Sequence, residues 1–231
     1  MTRFLVMVGL VLVLIAGPQS ARANGDPVPT AAPPPPTHYE RFVRSACLPC
    51  VQESHPVKTV ALSPVKLPSI PLGLPPGVEL PSRPGQVGFE VVRAYELGRP
   101  TRQLLAVRVT IAVGMGSVAG QLFPLGFGML DAEDAADLAF GIAELAKNAS
   151  VPARDGAGIV DIDYHVGSLR VGIVRVPGDV VAYVQVGDIP LLALRPVWQV
   201  PTTVFLSASE LPTLKAALTD VLARIRTLRG S

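Results

Sequence analysis

The chain has few of the residues on which most catalytic sites depend. Of its 231 residues only 16% are charged and 5% aromatic, and it has 2 cysteines and 3 histidines. Two cysteines cannot build a disulfide-dense scaffold, and three histidines leave little material for metal or acid–base chemistry. Lys plus Arg number 20 against 18 Asp plus Glu, which favours neither a basic nucleic-acid binder nor an acidic disordered chain. We therefore assign no catalytic residue and expect no cofactor.

The N-terminus has the three parts of a secretory signal peptide. Arg3 precedes an apolar run over residues 4–16, and the small-residue site Ala21-Arg22-Ala23 follows. Cleavage after Ala23 would remove two charged residues, Arg3 and Arg22, and leave 18 basic and 18 acidic residues. The apolar run is short for a membrane span, which needs about 20 residues, although an uncleaved anchor is the alternative. We expect export to the periplasm or the medium, with no transmembrane segment after cleavage of residues 1–23.

Residues 24–86 are predicted to form a proline-rich, extended arm, because more than half of the 24 prolines of the chain lie in this segment. The run Pro33 to Pro36 favours polyproline II, which cannot pack a core. In the stretch 64–84 apolar residues alternate with prolines, which is typical of either a free linker or an arm that lies along a folded domain.

The arm contains the only cysteines, in the motif Cys47-Leu48-Pro49-Cys50. No strand–helix pattern of the thioredoxin type surrounds it, and Val51 stands where covalent haem attachment needs histidine. Zinc would require two further ligands, and only His38 and His55 are near in sequence. In an exported protein we expect a local structural disulfide, with thiol–disulfide activity and metal binding as alternatives.

The folded region is predicted to be α+β, with two similar halves at residues 87–150 and 151–231, each a strand meander followed by a helix. In the second half β-branched runs over residues 159–166, 169–176, 180–186 and 202–206 are separated by turn residues. Ser207 and Glu210 then have the spacing of a capping box. Apolar residues from Leu211 to Ile225 recur at helical steps, so each half is expected to have one helix covering its sheet.

An internal duplication is predicted from a constant offset of 76 residues between the halves. Residues 129–134 parallel residues 205–210, and the helical positions that follow keep the same offset. Residues 104–107 parallel residues 180–183 at that offset too. We expect the halves to form one pseudo-symmetric unit. In architecture alone, this plan resembles the meander-plus-helix modules that pair to hold single-stranded nucleic acid.

Several short patterns are weak candidates for chemistry. Asp161, Asp163 and His165 fall on one face of a predicted strand and could join a metal site with help from a neighbouring strand. Trp198 lies in a predicted loop and is a candidate recognition aromatic or an edge cap. The sequence Gly114-Met115-Gly116-Ser117-Val118-Ala119 has the spacing of a dinucleotide fingerprint, but further glycines and Pro124 make a following helix improbable. A catalytic triad would have to use His165 with Ser117 or Ser168, which nothing distinguishes.

The leading hypothesis is an exported, non-catalytic binding or structural protein of the cell envelope or extracellular space. Its partner is expected to be an unidentified protein or envelope component. The first alternative is a thiol–disulfide protein that uses Cys47 and Cys50. The second is a single-stranded nucleic-acid-binding module, which is disfavoured by export and by 13 basic against 14 acidic residues in 87–231.

Overall fold

Two four-stranded antiparallel sheets form the framework, and each is followed by a long helix. The computed structural model describes residues 36–45, 47, 49–63, 65, 85–114, 122–151, 159–176, 178–186 and 202–230. In chain order the elements are α1 (His38–Ser45), β1 (Cys50–Leu62), β2 (Gly85–Glu96), β3 (Arg99–Gly114), β4 (Leu122–Asp131), α2 (Asp134–Ala149), β5 (Val160–Val166), β6 (Leu169–Val176), β7 (Asp179–Val186), β8 (Thr202–Ser207) and α3 (Leu211–Arg229). A 3₁₀ turn, Ala208–Glu210, precedes α3. The strand order is β1-β2-β3-β4 in the first sheet and β5-β6-β7-β8 in the second.

The predicted α+β class and the two similar meander-plus-helix halves are confirmed. All four strands predicted for the second half are present, and so is the capping box. Ser207 accepts a hydrogen bond from the Ser209 amide, and Glu210 accepts one from the Ser207 amide. Among the described residues, no helix combines the length and the apolar character that crossing a lipid bilayer requires.

The first sheet begins earlier than the sequence indicated. Residues 38–62, assigned to the proline-rich arm, contain α1 and the 13-residue strand β1. The strand was missed because it lies at the edge of the sheet and carries polar side chains on both faces over much of its length, so apolar alternation is absent. The signal segment 1–23 and the proline-dense stretch 66–84 lie outside the described residues.

The long helices cover the opposite sheets, whereas we expected each to cover the sheet of its own half. Helix α2 packs against β5 and β6, and α3 packs against β1 and β2. Gly141 of α2 lies so close to the ring of Tyr164 on β5 that a Cβ atom there would stand 2.4 Å from the tyrosine Cγ. We call the face of each sheet that is turned to these helices the inner face, and the other the outer face.

One apolar core joins both inner faces and both long helices. Every second residue of a central strand points into it, as Val87, Phe89 and Val91 do on β2. Glu133, just before α2, and Arg229, at the end of α3, form an ion pair that joins the two helices. Because each helix supplies apolar surface to the other half, the halves depend on one another for burial.

Helix α1 covers part of the outer face of the first sheet. A second cluster of buried side chains lies beneath it: Tyr39, Val92, Ala94, Ala106 and Met129. Both carboxylate oxygens of the buried Asp131 accept hydrogen bonds from the first amides of α1, His38 at 2.8 Å and Tyr39 at 2.9 Å. Burial raises the pKa of the Tyr39 hydroxyl to about 12. Asp131 stands where Ser207 stands in the second half, but it caps α1 and makes no side-chain cap to α2.

Strands β3 and β7 align with an offset of 75 residues, one fewer than the sequence comparison used. Ala106 pairs with Asp131 across β3 and β4, and Val181 pairs with Ser207 across β7 and β8. The offset of 76 holds for β4 and β8 and for the helices that follow, but between β3 and β7 it would place core residues on the outer face. Residues 104–107 show no alternation that would have revealed this difference, because α1 makes the outer face apolar at Ala106.

Candidate functional site

The outer face of the second sheet carries the predicted metal candidates, and there the carboxylates bind an arginine. Asp161, Asp163 and His165 are exposed and point to the same side of β5, as expected. Arg170 donates to Asp163 at 2.5 Å and to Asp161 at 3.3 Å. In the described part of the chain, no group of three or more His, Cys, Asp or Glu side chains is arranged to hold a metal ion.

An aromatic residue completes this ion-pair network. Tyr183 donates a hydrogen bond to Asp161 at 3.0 Å, and the Arg170 guanidinium lies 5.6 Å from its ring centre. The ring lies over Gly172 and meets Phe205 edge to face. Burial, followed by the hydrogen bond to Asp161, raises the pKa of Tyr183. Two aspartates and one arginine leave one negative charge over, but both carboxylates are already hydrogen-bonded to protein donors.

The two cysteines are at disulfide-bonding distance, with their sulfur atoms 2.22 Å apart. Cys47 is only 1% exposed and follows the C-terminal end of α1, while Cys50 begins β1. Redox-active pairs place an accessible thiol at a helix N-terminus, where the dipole favours the thiolate. Here the nearby helix end has the opposite polarity and Cys47 is covered. This geometry favours a brace between α1 and the first sheet over thiol exchange.

The remaining sequence candidates are not brought together. The Ser168 hydroxyl donates to the Met129 carbonyl and accepts from the Met129 amide, so it fastens the β5–β6 turn to β4. Gly114 ends β3, and the rest of the glycine-rich stretch through Ala119 lies outside the described residues. Ser117 and Trp198 also lie outside them.

The inner face of the first sheet carries a polar group that sequence reasoning missed. At the end of the sheet beyond the apolar core, side chains from β1, β2, β3 and α3 meet. We call them the His55 cluster: Glu53, His55, Arg93, Tyr95, Gln103 and Arg224. His55 and Arg93 are largely buried, with side chains 22% and 19% exposed. The cluster therefore lies at the boundary between core and solvent.

Glu53 is the acidic centre of the cluster. Its Oε1 accepts a hydrogen bond from the Tyr95 hydroxyl at 2.9 Å. This bond raises the pKa of Tyr95, which therefore stays a donor at neutral pH. Its Oε2 lies 3.8 Å from Nη1 of Arg93 and 3.6 Å from Nε2 of His55. Glu53 thus interacts with three neighbours, and two of these contacts are longer than a hydrogen bond.

The contacts of His55 determine which ring nitrogen carries its proton. Nη2 of Arg224 lies 3.2 Å from Nδ1 of His55. A guanidinium has only donors, so Nδ1 must be the acceptor and the neutral ring carries its proton on Nε2, facing Glu53. Both nitrogens of His55 therefore face protein groups.

Three buried polar atoms of the cluster lack a hydrogen-bond partner within the described residues. They are Nε2 of His55, Nε of Arg93 and Oε1 of Gln103. Buried polar atoms without partners are uncommon because each costs about 1–3 kcal/mol of desolvation. Three other such atoms occur among the described residues, Nε of Arg108 and Nε and Nη2 of Arg175, so half of the six lie on this one patch.

The second half serves as an internal comparison for the His55 cluster. Equivalent positions are found by following the paired residues across each sheet from its last strand to its first. In the first sheet this path is Leu130, Val107, Val91 and His55, and in the second it is Leu206, Ala182, Ile173 and Ile162. Two residues further along the same strands, Glu53 corresponds to Val160 and Arg93 corresponds to Arg175. The fold is thus compatible with apolar side chains where Glu53 and His55 stand.

The charges of the cluster do not balance. Arg93 and Arg224 are cationic and Glu53 is anionic, so these three side chains leave one positive charge over. Within the described residues, no carboxylate lies within 4.0 Å of Arg224. The cluster is suited to holding one negative charge supplied from outside.

A sequence signal for this site existed. Glu53 and His55 are two residues apart and so share a face of any strand, but the strand itself was not predicted. Arg93, Gln103 and Arg224 belong to distant segments, which only the fold unites.

A comparison with protein families, with curated proteins and with solved structures finds no match for this chain.

Proposed function

We propose that this chain is an exported, non-catalytic binding protein of the cell envelope or extracellular space, whose His55 cluster holds an anionic group of its partner. The carrying observation is the contrast between the halves. Glu53 and His55 stand where the second half has Val160 and Ile162, so packing alone does not call for polar residues there. Burying charged groups costs stability, and a binding role explains why they are kept.

Binding is favoured over catalysis by the occupancy of His55. A general base needs a free nitrogen within hydrogen-bond reach of its substrate. In the cluster the lone pair of Nδ1 accepts from Arg224, and Nε2, 3.6 Å from Glu53, is a donor without a hydrogen-bond partner. The ring therefore has no free lone pair to offer a substrate.

Export is supported by the signal pattern of residues 1–23 and by the cysteine pair at bonding distance, because disulfides persist in oxidising compartments. The thiol–disulfide alternative is disfavoured by the buried Cys47 at a helix C-terminus. The nucleic-acid alternative is disfavoured by the charge balance of residues 87–231.

Propionate, a simple carboxylate, is the probe for the test. The chain from residue 24 onward, labelled with ¹⁵N in its histidines, is titrated with propionate while the imidazole resonances of His55 are followed by NMR. We expect a saturable shift, because the leftover positive charge attracts a carboxylate. In Arg93→Met the dissociation constant should rise at least tenfold, since a charge-assisted hydrogen bond is lost.

Arg175→Met is the matched control, because Arg175 holds the equivalent strand position in the second half. It should leave the titration unchanged. A response of His55 that never saturates, or one that is equal in the native chain and Arg93→Met, would overturn the proposed function.

A further inference from the structure

The three unpartnered atoms of the His55 cluster differ in what they demand of a ligand. Nε of Arg93 and Nε2 of His55 carry protons and need acceptors, whereas Oε1 of Gln103 needs a donor. A ligand that binds at both kinds of atom must therefore both accept and donate.

These three atoms belong to side chains on one face of three neighbouring strands. Arg93 on β2 pairs with Glu53 on β1, and Gln103 on β3 pairs with Tyr95, two residues further along β2 on the same face. His55 is the diagonal neighbour of Arg93 on the opposite side: it lies on β1, two residues from Glu53. Diagonal neighbours on one face of a sheet are about 7–8 Å apart at Cα, within reach of long side chains. Arg93 is thus flanked by a donor on one side and an acceptor on the other.

The charge of the site favours a carboxylate over a phosphate group. Two arginines and one glutamate leave a single positive charge, which matches one carboxylate. A phosphate monoester carries about −1.5 to −2 at neutral pH and would face Glu53 with excess negative charge. The planar guanidinium edge also suits the two oxygens of a carboxylate.

We infer that the His55 cluster binds a carboxylate whose adjacent carbon bears a hydrogen-bond donor. The carboxylate accepts from Nε of Arg93, and the hydroxyl, ammonium or amide N–H beside it donates to Oε1 of Gln103, the diagonal neighbour of Arg93 on β3. This inference rests on the proposed function and narrows it to a ligand class: a free 2-hydroxy or 2-amino acid, or the C-terminal residue of a peptide.

Lactate and propionate form the decisive pair of probes, because they differ by one hydroxyl on the carbon next to the carboxylate. In the NMR titration of the chain from residue 24 onward, lactate should bind about fivefold tighter than propionate, the factor expected for one net hydrogen bond. Gln103→Met should remove the difference between the two acids, while Arg93→Met should weaken both at least tenfold. Arg175→Met, from the second half, should change neither constant.

A third probe, N-acetylglycine, separates the two sources of this chemistry. Tighter binding of N-acetylglycine than of lactate indicates a peptide C-terminus, and the reverse indicates a free acid; both outcomes support the inference. Equal affinity for lactate and propionate in the native chain, or an advantage of lactate that survives Gln103→Met, would overturn it while the proposed function stands. Absence of saturable binding by either acid would instead remove the proposed function.

Discussion

Residues 36–151, produced without the second half, are expected to show no cooperative unfolding transition, and the same holds for residues 152–231. Each fragment retains a complete four-stranded sheet and a long helix, yet the helix that covers each sheet is in the other fragment. The inner faces of both sheets would then expose their apolar residues to water, at about 25 cal/mol for every Å². Urea denaturation followed by circular dichroism measures this directly for each fragment and for the full chain.

Mixing the two fragments is the control for this prediction. Equimolar fragments should recover a cooperative transition, because α2 can again cover β5 and β6 while α3 covers β1 and β2. Independent, cooperative folding of either fragment would show that a helix can cover the sheet of its own half. It would contradict the packing of each long helix on the sheet of the other half.

Gly141→Ala is expected to lower the free energy of unfolding by about 2 kcal/mol. In an exposed helix the same change would stabilise by about 1 kcal/mol through helix propensity. Here the new methyl group would stand 2.4 Å from Cγ of Tyr164 and 2.5 Å from Cδ1, so α2 and β5 must move apart. Overpacking of this kind costs about 1–3 kcal/mol or more. Urea denaturation of the native and variant chains gives the difference.

Gly88→Ala is the matched control for this substitution, since a Cβ atom there would meet nothing closer than 3.9 Å. It should change stability by less than about 0.5 kcal/mol. Replacing Tyr164 by valine in the Gly141→Ala background should restore part of the loss, because the two sites share one contact. A stabilising effect of Gly141→Ala would mean that α2 does not pack against β5.

Local patterns predicted the second half well because its strands have clear turns and its helix has a complete cap. Residues 159–176 alternate around Gly167, which has a φ of 56°, and Ser207 with Glu210 marks the start of the last helix. In the first half the corresponding signals are altered by tertiary contacts. Asp131 caps α1, so the cap of α2 is not recognisable. Ala106 is buried on the outer face, so the alternation of β3 is not recognisable either.

Periodicity could not predict that each long helix packs on the sheet of the other half, and it could not predict the His55 cluster. An apolar stripe such as that of α3 shows that a helix is covered, but it contains nothing about which sheet covers it. The cluster joins β1, β2, β3 and α3, and its strand β1 lacks the alternation that would have placed Glu53 and His55 on an inner face. Both features depend on pairing between distant segments.

The stability of one triple variant tests most directly whether the His55 cluster is kept for binding. Glu53→Val, His55→Ile and Arg93→Met together replace the core of the cluster by apolar groups, two of them the residues at the equivalent places of the second half. Joint replacement of partly buried charges that pair with one another is commonly neutral or stabilising, whereas removing one partner is costly. Arg224 loses its contact with His55 in this variant, but it is only partly buried and its charge stays in contact with solvent. Glu53→Val alone should therefore lose about 1 kcal/mol, because Arg93 and Tyr95 both remain without their carboxylate at a partly exposed position. The measurement is the free energy of unfolding of the triple variant in urea: we predict a value equal to the native one or up to about 1 kcal/mol higher, and a loss of about 2 kcal/mol or more would contradict the account by showing that the cluster holds the fold together.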